Sequence, residues 1–154
     1  MTLDIGPEIS RIAGMTLTDF LLARIAEDRE AAEKASQGRW KLWGMQVMAD
    51  TFGDSNVDHA ALVANTQFVD DNGKPRTWNA HHIAQWDPAR VLAECEAKRR
   101  IVNDAGFAAH QAEINNRTPA TEPVFAAALL AFHVLAHLAR PYADHPDYDR
   151  DWRP

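Results

Sequence analysis

Apolar residues that recur at helical spacing predict a helix near the start of the chain. They form an i, i+4 stripe from Leu17 to Ile25, and we expect the helix to run from about residue 17 to 36. Thr16 precedes this stripe and Asp19 follows three residues later, which is a variant of the capping box. The local sequence therefore predicts where the helix begins as well as which face it buries.

The segment after this helix has apolar, β-branched and aromatic positions between turn-rich stretches and predicts a small sheet. We expect one strand around residues 40–48, a second at 60–69 and a short third at 75–78. Asn72 and Gly73 predict a tight hairpin turn before the third strand, because both tolerate positive φ angles. The result is a three-stranded antiparallel sheet that needs helices on one face to be stable.

The second half of the chain predicts further helices and an irregular end. Asp87 as N-cap and Pro88 at the first helical position start a helix that continues to at least residue 105. A last helix is expected from about residue 121 to just before Arg140. The tail beyond it has three aromatic residues and three prolines in fifteen residues, and we expect it to fold back on the domain. The fold class is therefore α+β, with about three main helices packed on the sheet and an irregular aromatic tail.

Composition and charge are those of a soluble globular protein. The chain has 154 residues, about one domain's length, of which 46% are hydrophobic and 25% charged. A net charge of −6 disfavours nucleic acid as a partner. The single cysteine, Cys95, cannot form an internal disulfide, and residues 1–14 have charges and a proline where a signal peptide needs an apolar stretch. We expect a cytoplasmic protein with an irregular N-terminal extension at 1–14 and one domain at 15–154.

The last predicted helix is unusual, because the seventeen residues between Glu122 and Arg140 carry no charge. We expect a central core helix. The alternative is a self-association face, with Leu130 and Phe132 of the helix and Trp152 of the tail as contact residues of a homodimer. A membrane span is disfavoured, because the segment is shorter than about 20 residues and contains two histidines.

Two histidines on this helix are candidate metal ligands. His133 and His137 are four residues apart and therefore project from one helix face, which is half of a typical zinc site. The adjoining glutamate of the H-E-x-x-H metalloprotease pattern is absent, and no third ligand is evident nearby. We favour a polar stripe without a cofactor and keep zinc as the alternative.

The tail supplies a second candidate site. If it folds over the last helix, Arg140, Tyr142 and His145 line a small polar pocket for an anion or another small ligand, and the tail acts as a lid. The sequence contains no Gly-rich phosphate loop, no G-x-S-x-G pattern and no cysteine pair. These absences disfavour catalysis.

Three blocks of this chain resemble an uncharacterised family of small proteins from high-GC Gram-positive bacteria and their phages. They are the first helix at 15–32, HHIAQWDPARVLAECEAKRRIV at 81–102 and HLARPYADHPDYDRDWRP at 137–154. The resemblance implies a cytoplasmic accessory protein encoded by a phage or mobile element, with residues 1–14 as an extension. Many members hold additional cysteines and histidines that look like metal ligands, but this chain has no cysteine at 103–136.

The leading hypothesis from the sequence is a non-enzymatic accessory protein that acts by protein–protein contact as a homodimer, without a membrane or nucleic-acid partner. One alternative is a metal-binding protein or metal-dependent hydrolase that uses His133 and His137. The other is a small-ligand or anion sensor whose tail covers the pocket.

Overall fold

The structure, a computed structural model, has a small antiparallel sheet and predominantly helical surroundings, which confirms the α+β class. It describes residues 15–50, 60–67, 69–74, 76–115 and 122–154. The expected extension at 1–14 and the expected start of the last helix at residue 121 lie outside the described residues. In chain order the elements are α1 (Leu17–Lys34), β1 (Arg39–Trp43), β2 (Gln46–Asp50), β3 (Ala60–Asn65), α2 (Trp78–Gln85), α3 (Pro88–Asn115) and α4 (Glu122–Ala139).

The chain divides into two compact units. One contains residues 15–26 together with Ala97–Pro154, and the other is Glu27–Glu96. The long helices α1 and α3 each contribute residues to both units. A single domain over 15–154 stays a prediction.

The first unit starts with the capping box at the N-terminus of α1. The backbone N–H of Asp19 donates to Oγ1 of Thr16 over 3.1 Å, and the hydroxyl of Thr16 donates to Oδ2 of Asp19 over 2.7 Å. These bonds satisfy donors that a helix start otherwise leaves unpaired. The apolar stripe of Leu17, Leu21 and Ile25 on α1 is buried as expected, and Phe20 is buried beside it.

A glycine lets α3 pass close to α1 within the same unit. The sequence leaves open whether this helix ends at Gly106 or continues beyond it, and α3 continues to Asn115. A Cβ atom built on Gly106 would lie 3.0 Å from Cγ2 and 3.1 Å from Oγ1 of Thr18. Such separations are shorter than ordinary van der Waals contact, so the missing side chain permits this approach.

The second unit holds the sheet, whose order is β1-β2-β3 with both pairs antiparallel. The expectation of one strand at 40–48 is wrong, because this segment forms two strands. Trp43 pairs with Gln46, which leaves a two-residue turn that begins with Gly44 at φ 61°. A glycine with positive φ at the first turn position is typical of a type II′ hairpin.

The predicted third strand at 75–78 does not form at 76–78, the part of it that the structure describes. The turn before it exists, because the N–H of Gly73 donates to the carbonyl of Asp70 over 2.8 Å and the N–H of Asp70 to that of Lys74 over 2.9 Å. Trp78, however, begins α2 rather than ending a strand. Asn72 and Gly73 therefore predicted the reversal of the chain but not the structure that follows it. The helix α2, which follows the turn, contacts all three strands.

The pairing of β1 with β2 shows which face of the sheet is buried. Trp40 is opposite Ala49 and Leu42 is opposite Val47, so these four residues share one face. Val47 and Ala49 are fully buried, and the neighbouring positions on the other face are partly open to solvent. The sheet therefore has the one-sided core that a small antiparallel sheet needs.

The start of α3 and its only cysteine agree with the sequence. The N–H of Arg90 donates to Oδ1 of Asp87 over 2.9 Å, which is the expected N-cap bond. Cys95 is buried at 3% exposure, as expected for a small core residue.

Candidate functional site

Only one side of α4 is buried. Ala131, Leu135, Ala136 and Ala139 face the core. The segment Val124–Tyr142 has a mean hydropathy of 1.5 and is long enough to cross a membrane, and only 22% of that window is buried inside the protein. This assignment rests on length and composition only, and the core helix of a soluble protein has the same length and composition. The expectation of a central core helix thus describes one face of α4 and not the other.

Four large apolar side chains lie on the open side of α4, and we call them the α4 surface. They are Phe125 (66% exposed), Leu129 (48%), Leu130 (65%) and Phe132 (38%). Three of them follow the i, i+4, i+7 spacing of a single helix face, and Leu130 lies beside them. Exposed apolar residues that are grouped in this way are typical of an interaction site.

The two candidate metal ligands lie on the same helix. His133 and His137 are both exposed and one turn apart. Among the described residues, no group of three or more histidine, cysteine or acidic side chains is arranged to hold a metal ion.

The C-terminal tail folds back, as expected, but it packs on α1. Phe20, which is fully buried, is surrounded by rings from the tail. Edge-to-face contacts join it to Tyr142, His145 and Tyr148 at centroid distances of 6.4, 5.8 and 5.9 Å, and a tilted contact joins it to Trp152 at 5.0 Å. Aromatic pairs in this geometry contribute about 0.5–1.5 kcal/mol each beyond the burial of area.

The three residues of the predicted pocket have different surroundings. Tyr142 and His145 meet Phe20, whereas Arg140 is exposed at the end of α4, in the 3₁₀ turn Arg140–Tyr142. The arginine that meets His145 is Arg24 of α1.

Arg24 is the functional candidate that the sequence analysis missed. It is only 7% exposed, and its Nη1 lies 2.8 Å from Nδ1 of His145 and 3.9 Å from Oδ2 of Asp147. Its guanidinium carbon also lies 5.3 Å from the centre of the Phe20 ring. The sequence contains an indication of this role, because Arg24 lies beside the apolar stripe of α1. A charged residue at a buried position requires a partner.

Arg24 lines a cleft between α1 and the tail, which we call the tail cleft. Its volume is about 540 Å³. The lining residues are Met15, Arg24, Pro146, Asp147, Tyr148, Asp149, Arg150 and Trp152. The cleft thus combines two aromatic rings with two arginines and two carboxylates.

A shallower depression of about 450 Å³ lies in the second unit, where α2 and the start of α3 meet β1. Its lining includes His81, Arg39 and Arg90. Arg90 is already engaged, because its Nε donates to Glu94 over 3.0 Å and its guanidinium stacks 4.4 Å from the ring centre of Trp86.

These features define a small α+β protein with an aromatic C-terminal tail folded onto a buried arginine of its first helix. The chain belongs to DUF6221, a family of unknown function, whose model matches residues 14–154. Neither the curated proteins nor the solved structures contain a match to this chain.

Proposed function

We propose that this protein acts by protein–protein contact through the α4 surface, and that the partner is a second copy of the same chain. The observation that carries the proposal is the exposure of Phe125 and Leu130, each about two-thirds open to solvent at 66% and 65%. Removing grouped apolar side chains of this size from water is favourable, which provides a driving force for association.

The distribution of charge along α4 favours a second copy over other partners. Glu122 is the first residue of the helix, Arg140 follows its last residue, and no charged residue lies between them. In an antiparallel pair related by a two-fold axis, the Glu122 end of each helix lies beside the Arg140 end of the other. The helix dipoles then also run in opposite directions.

The dimensions of α4 also suit a helix pair. Its 18 residues extend over about 27 Å, at about 1.5 Å per residue. Ala126 is exposed one turn before Leu130, and its small side chain permits close approach of a second helix axis. Trp152 is left out of this surface because it packs on Phe20.

The proposal assigns the protein no catalytic activity and no cofactor, because the sequence lacks the phosphate-loop and nucleophile patterns of common enzymes. The place of action that we propose is the cytoplasm, as an accessory protein of a phage or mobile element. The single cysteine and the three family-like sequence blocks support this context.

Sedimentation velocity over a range of protein concentrations tests the proposed dimer. The wild-type chain should sediment as a dimer, and Leu130→Glu should sediment as a monomer, because a two-fold contact receives two added charges. Leu62→Glu is the matched control, since Leu62 of β3 is a leucine of similar exposure (55%) on another element. It should leave the dimer intact.

Three results would contradict the proposal. A wild-type chain that sediments as a monomer at every concentration would contradict the proposed dimer. Loss of the dimer in both leucine variants would show that dissociation does not depend on the α4 surface. Flotation with lipid vesicles, combined with a monomer in their absence, would identify the α4 surface as a membrane contact instead.

A metal-binding function is the second candidate, favoured by the exposure of His133 and His137 on adjacent turns. Two imidazoles leave a tetrahedral zinc ion two ligands short, so a second copy of the chain would have to complete the site. Native mass spectrometry of protein purified without chelator would then show zinc on the dimer only, and His137→Ala would release it. A metal-free dimer would exclude this candidate, and His82→Ala is the control.

A further inference from the structure

We propose that the tail cleft binds a small ligand that consists of an aromatic ring with one anionic oxygen group, either a carboxylate or a phosphate. The site is separate from the α4 surface and does not depend on the proposed dimer. Three properties of the cleft support it: its aromatic wall, an unengaged arginine and its size.

The aromatic wall is held in place before any ligand arrives. Trp152 lines the cleft and also packs on the buried Phe20, with ring centroids 5.0 Å apart. Tyr148 meets Trp152 edge-to-face at 5.8 Å and lines the same cleft. Both rings are half-buried, so each is fixed by packing while part of it faces solvent. A preorganised aromatic wall binds a planar ring with little loss of conformational freedom.

The charged side chains of the cleft balance one another, with two guanidinium groups and two carboxylates. Oδ1 of Asp149 accepts a hydrogen bond from the N–H of Asp151 over 3.0 Å, and Oδ2 of Asp147 lies 3.9 Å from Nη1 of Arg24. Each carboxylate thus keeps its negative charge but has one partner within the protein. The guanidinium of Arg150 is exposed and makes no hydrogen bond or ion pair with the residues that the structure describes.

Arg150 therefore supplies the open cationic group of the cleft, whereas the positive charge of Arg24 is shared with Asp147 at 3.9 Å. A guanidinium has a planar set of donors that matches both carboxylate and phosphate oxygens, so the two groups share one recognition chemistry.

The volume of the cleft limits the ligand to a small molecule. About 540 Å³ is within the range of about 300–1,000 Å³ that is typical of small-molecule sites. Met15 and Pro146 add apolar area beside the two aromatic rings. One ring with its anionic substituent can thus contact the apolar wall and Arg150 at the same time.

Titration of the full-length protein with phenyl phosphate and phenylacetate, followed by the indole N–H signals in ¹H–¹⁵N NMR spectra, tests this inference. The chain has five tryptophans, and Trp152→Phe identifies the signal of Trp152. This signal should shift in a saturable way with at least one of the two probes. The stronger probe shows whether the site prefers phosphate or carboxylate.

Two further probes separate the ring from the anion. Benzyl alcohol keeps the ring without the charge, and inorganic phosphate keeps the charge without the ring. Each should bind at least about tenfold more weakly than the stronger aromatic anion, since charged hydrogen bonds and ring burial each contribute roughly that factor. Equal binding of either single-feature probe would overturn the proposed ligand class.

The matched variants are Arg150→Gln and Arg153→Gln, which remove one arginine each from the same tail. Of these two arginines, Arg150 lines the cleft and Arg153 does not. Arg150→Gln should weaken binding about tenfold or more while the free-state signal of Trp152 stays in place. Equal weakening of binding by both variants would indicate general attraction of the anion to a basic tail rather than a specific site. A Trp152 signal that does not shift with any probe would overturn the proposed site.

Discussion

Nη1 of Arg24 lies 2.8 Å from Nδ1 of His145, although 121 positions separate the two residues in the chain. A guanidinium nitrogen can only donate, so Nδ1 of the imidazole accepts this hydrogen bond. The backbone N–H of Asp147 points to the same Nδ1 over 3.1 Å. A ring nitrogen that accepts two donors carries no proton, so the proton of the neutral imidazole lies on Nε2.

We predict that His145 occupies the Nε2–H tautomer. Long-range ¹H–¹⁵N NMR spectra distinguish the tautomers by the nitrogen shifts of the ring, and His145→Asn identifies the signal. His137, an exposed ring on α4, is the comparison signal in the same spectra. A protonated Nδ1 in the neutral ring of His145 would contradict the hydrogen bond from Arg24.

Removal of the His145 ring should lower the free energy of unfolding. His145→Ala leaves a donor of the buried Arg24 without this acceptor, which costs about 1–3 kcal/mol. Urea denaturation measures the change. Asp144→Ala is the control, because Asp144 is the exposed neighbour in the tail, and its effect should stay within about 0.5 kcal/mol.

His145→Asn separates the hydrogen bond from the packing of the ring. The side-chain oxygen of asparagine can accept a bond near the position of Nδ1, so this variant should recover part of the stability that His145→Ala loses. Equal loss in both variants would show that the ring contact with Phe20 matters and the bond from Arg24 does not.

Phe20 should be the residue on which the tail depends most. Phe20→Ala removes a fully buried ring that four rings of the tail contact, and it should destabilise the protein by about 3–5 kcal/mol. Phe107→Ala is the matched control, because Phe107 of α3 is 66% exposed. The control should stay within about 0.5 kcal/mol in thermal or urea unfolding.

The loss of Phe20 should also release the tail before the rest of the protein unfolds. Limited proteolysis should cleave Phe20→Ala beyond residue 140 faster than the wild type, since the rings of the tail lose their common contact. Unchanged cleavage of the tail would show that Phe20 does not hold it.

Gly106 and Thr18 should be energetically coupled. Alanine is favoured over glycine inside a helix by about 1 kcal/mol, but its Cβ meets the Thr18 side chain at 3.0 Å. Gly106→Ala should therefore be more stabilising in a Thr18→Ala background than in the wild type. A double-mutant cycle from urea denaturation measures this difference, and additive effects would exclude the close contact.

Local sequence was sufficient for several elements of the fold. The bond between Thr16 and Asp19 and the N-cap at Asp87 involve residues at most three positions apart. The end of α4 before Arg140 follows from the proline after it. Each of these features depends on short-range hydrogen bonds or backbone sterics, and these are the same in the isolated segment and in the folded protein.

The sheet shows where local patterns stop being informative. Gly44 splits the first predicted strand into a hairpin, and Trp78 starts a helix where a strand was expected. Both segments have apolar residues that suit either structure. The need to cover the face of Val47 and Ala49 is a property of the assembled sheet, which the spacing along the chain does not contain.

The sequence by itself determined the α+β class, the uncharged helix with Leu130 and Phe132, the paired His133 and His137, and a tail that is not a regular helix. Only the tertiary structure decided that α4 is buried on one side alone, and that the tail packs on Phe20 and Arg24 of α1. The physical reason is that packing between segments far apart in the chain determines which residue contacts a buried charge or ring. Such a contact produces no periodic pattern of apolar and polar residues in either segment, so the sequence alone does not predict it.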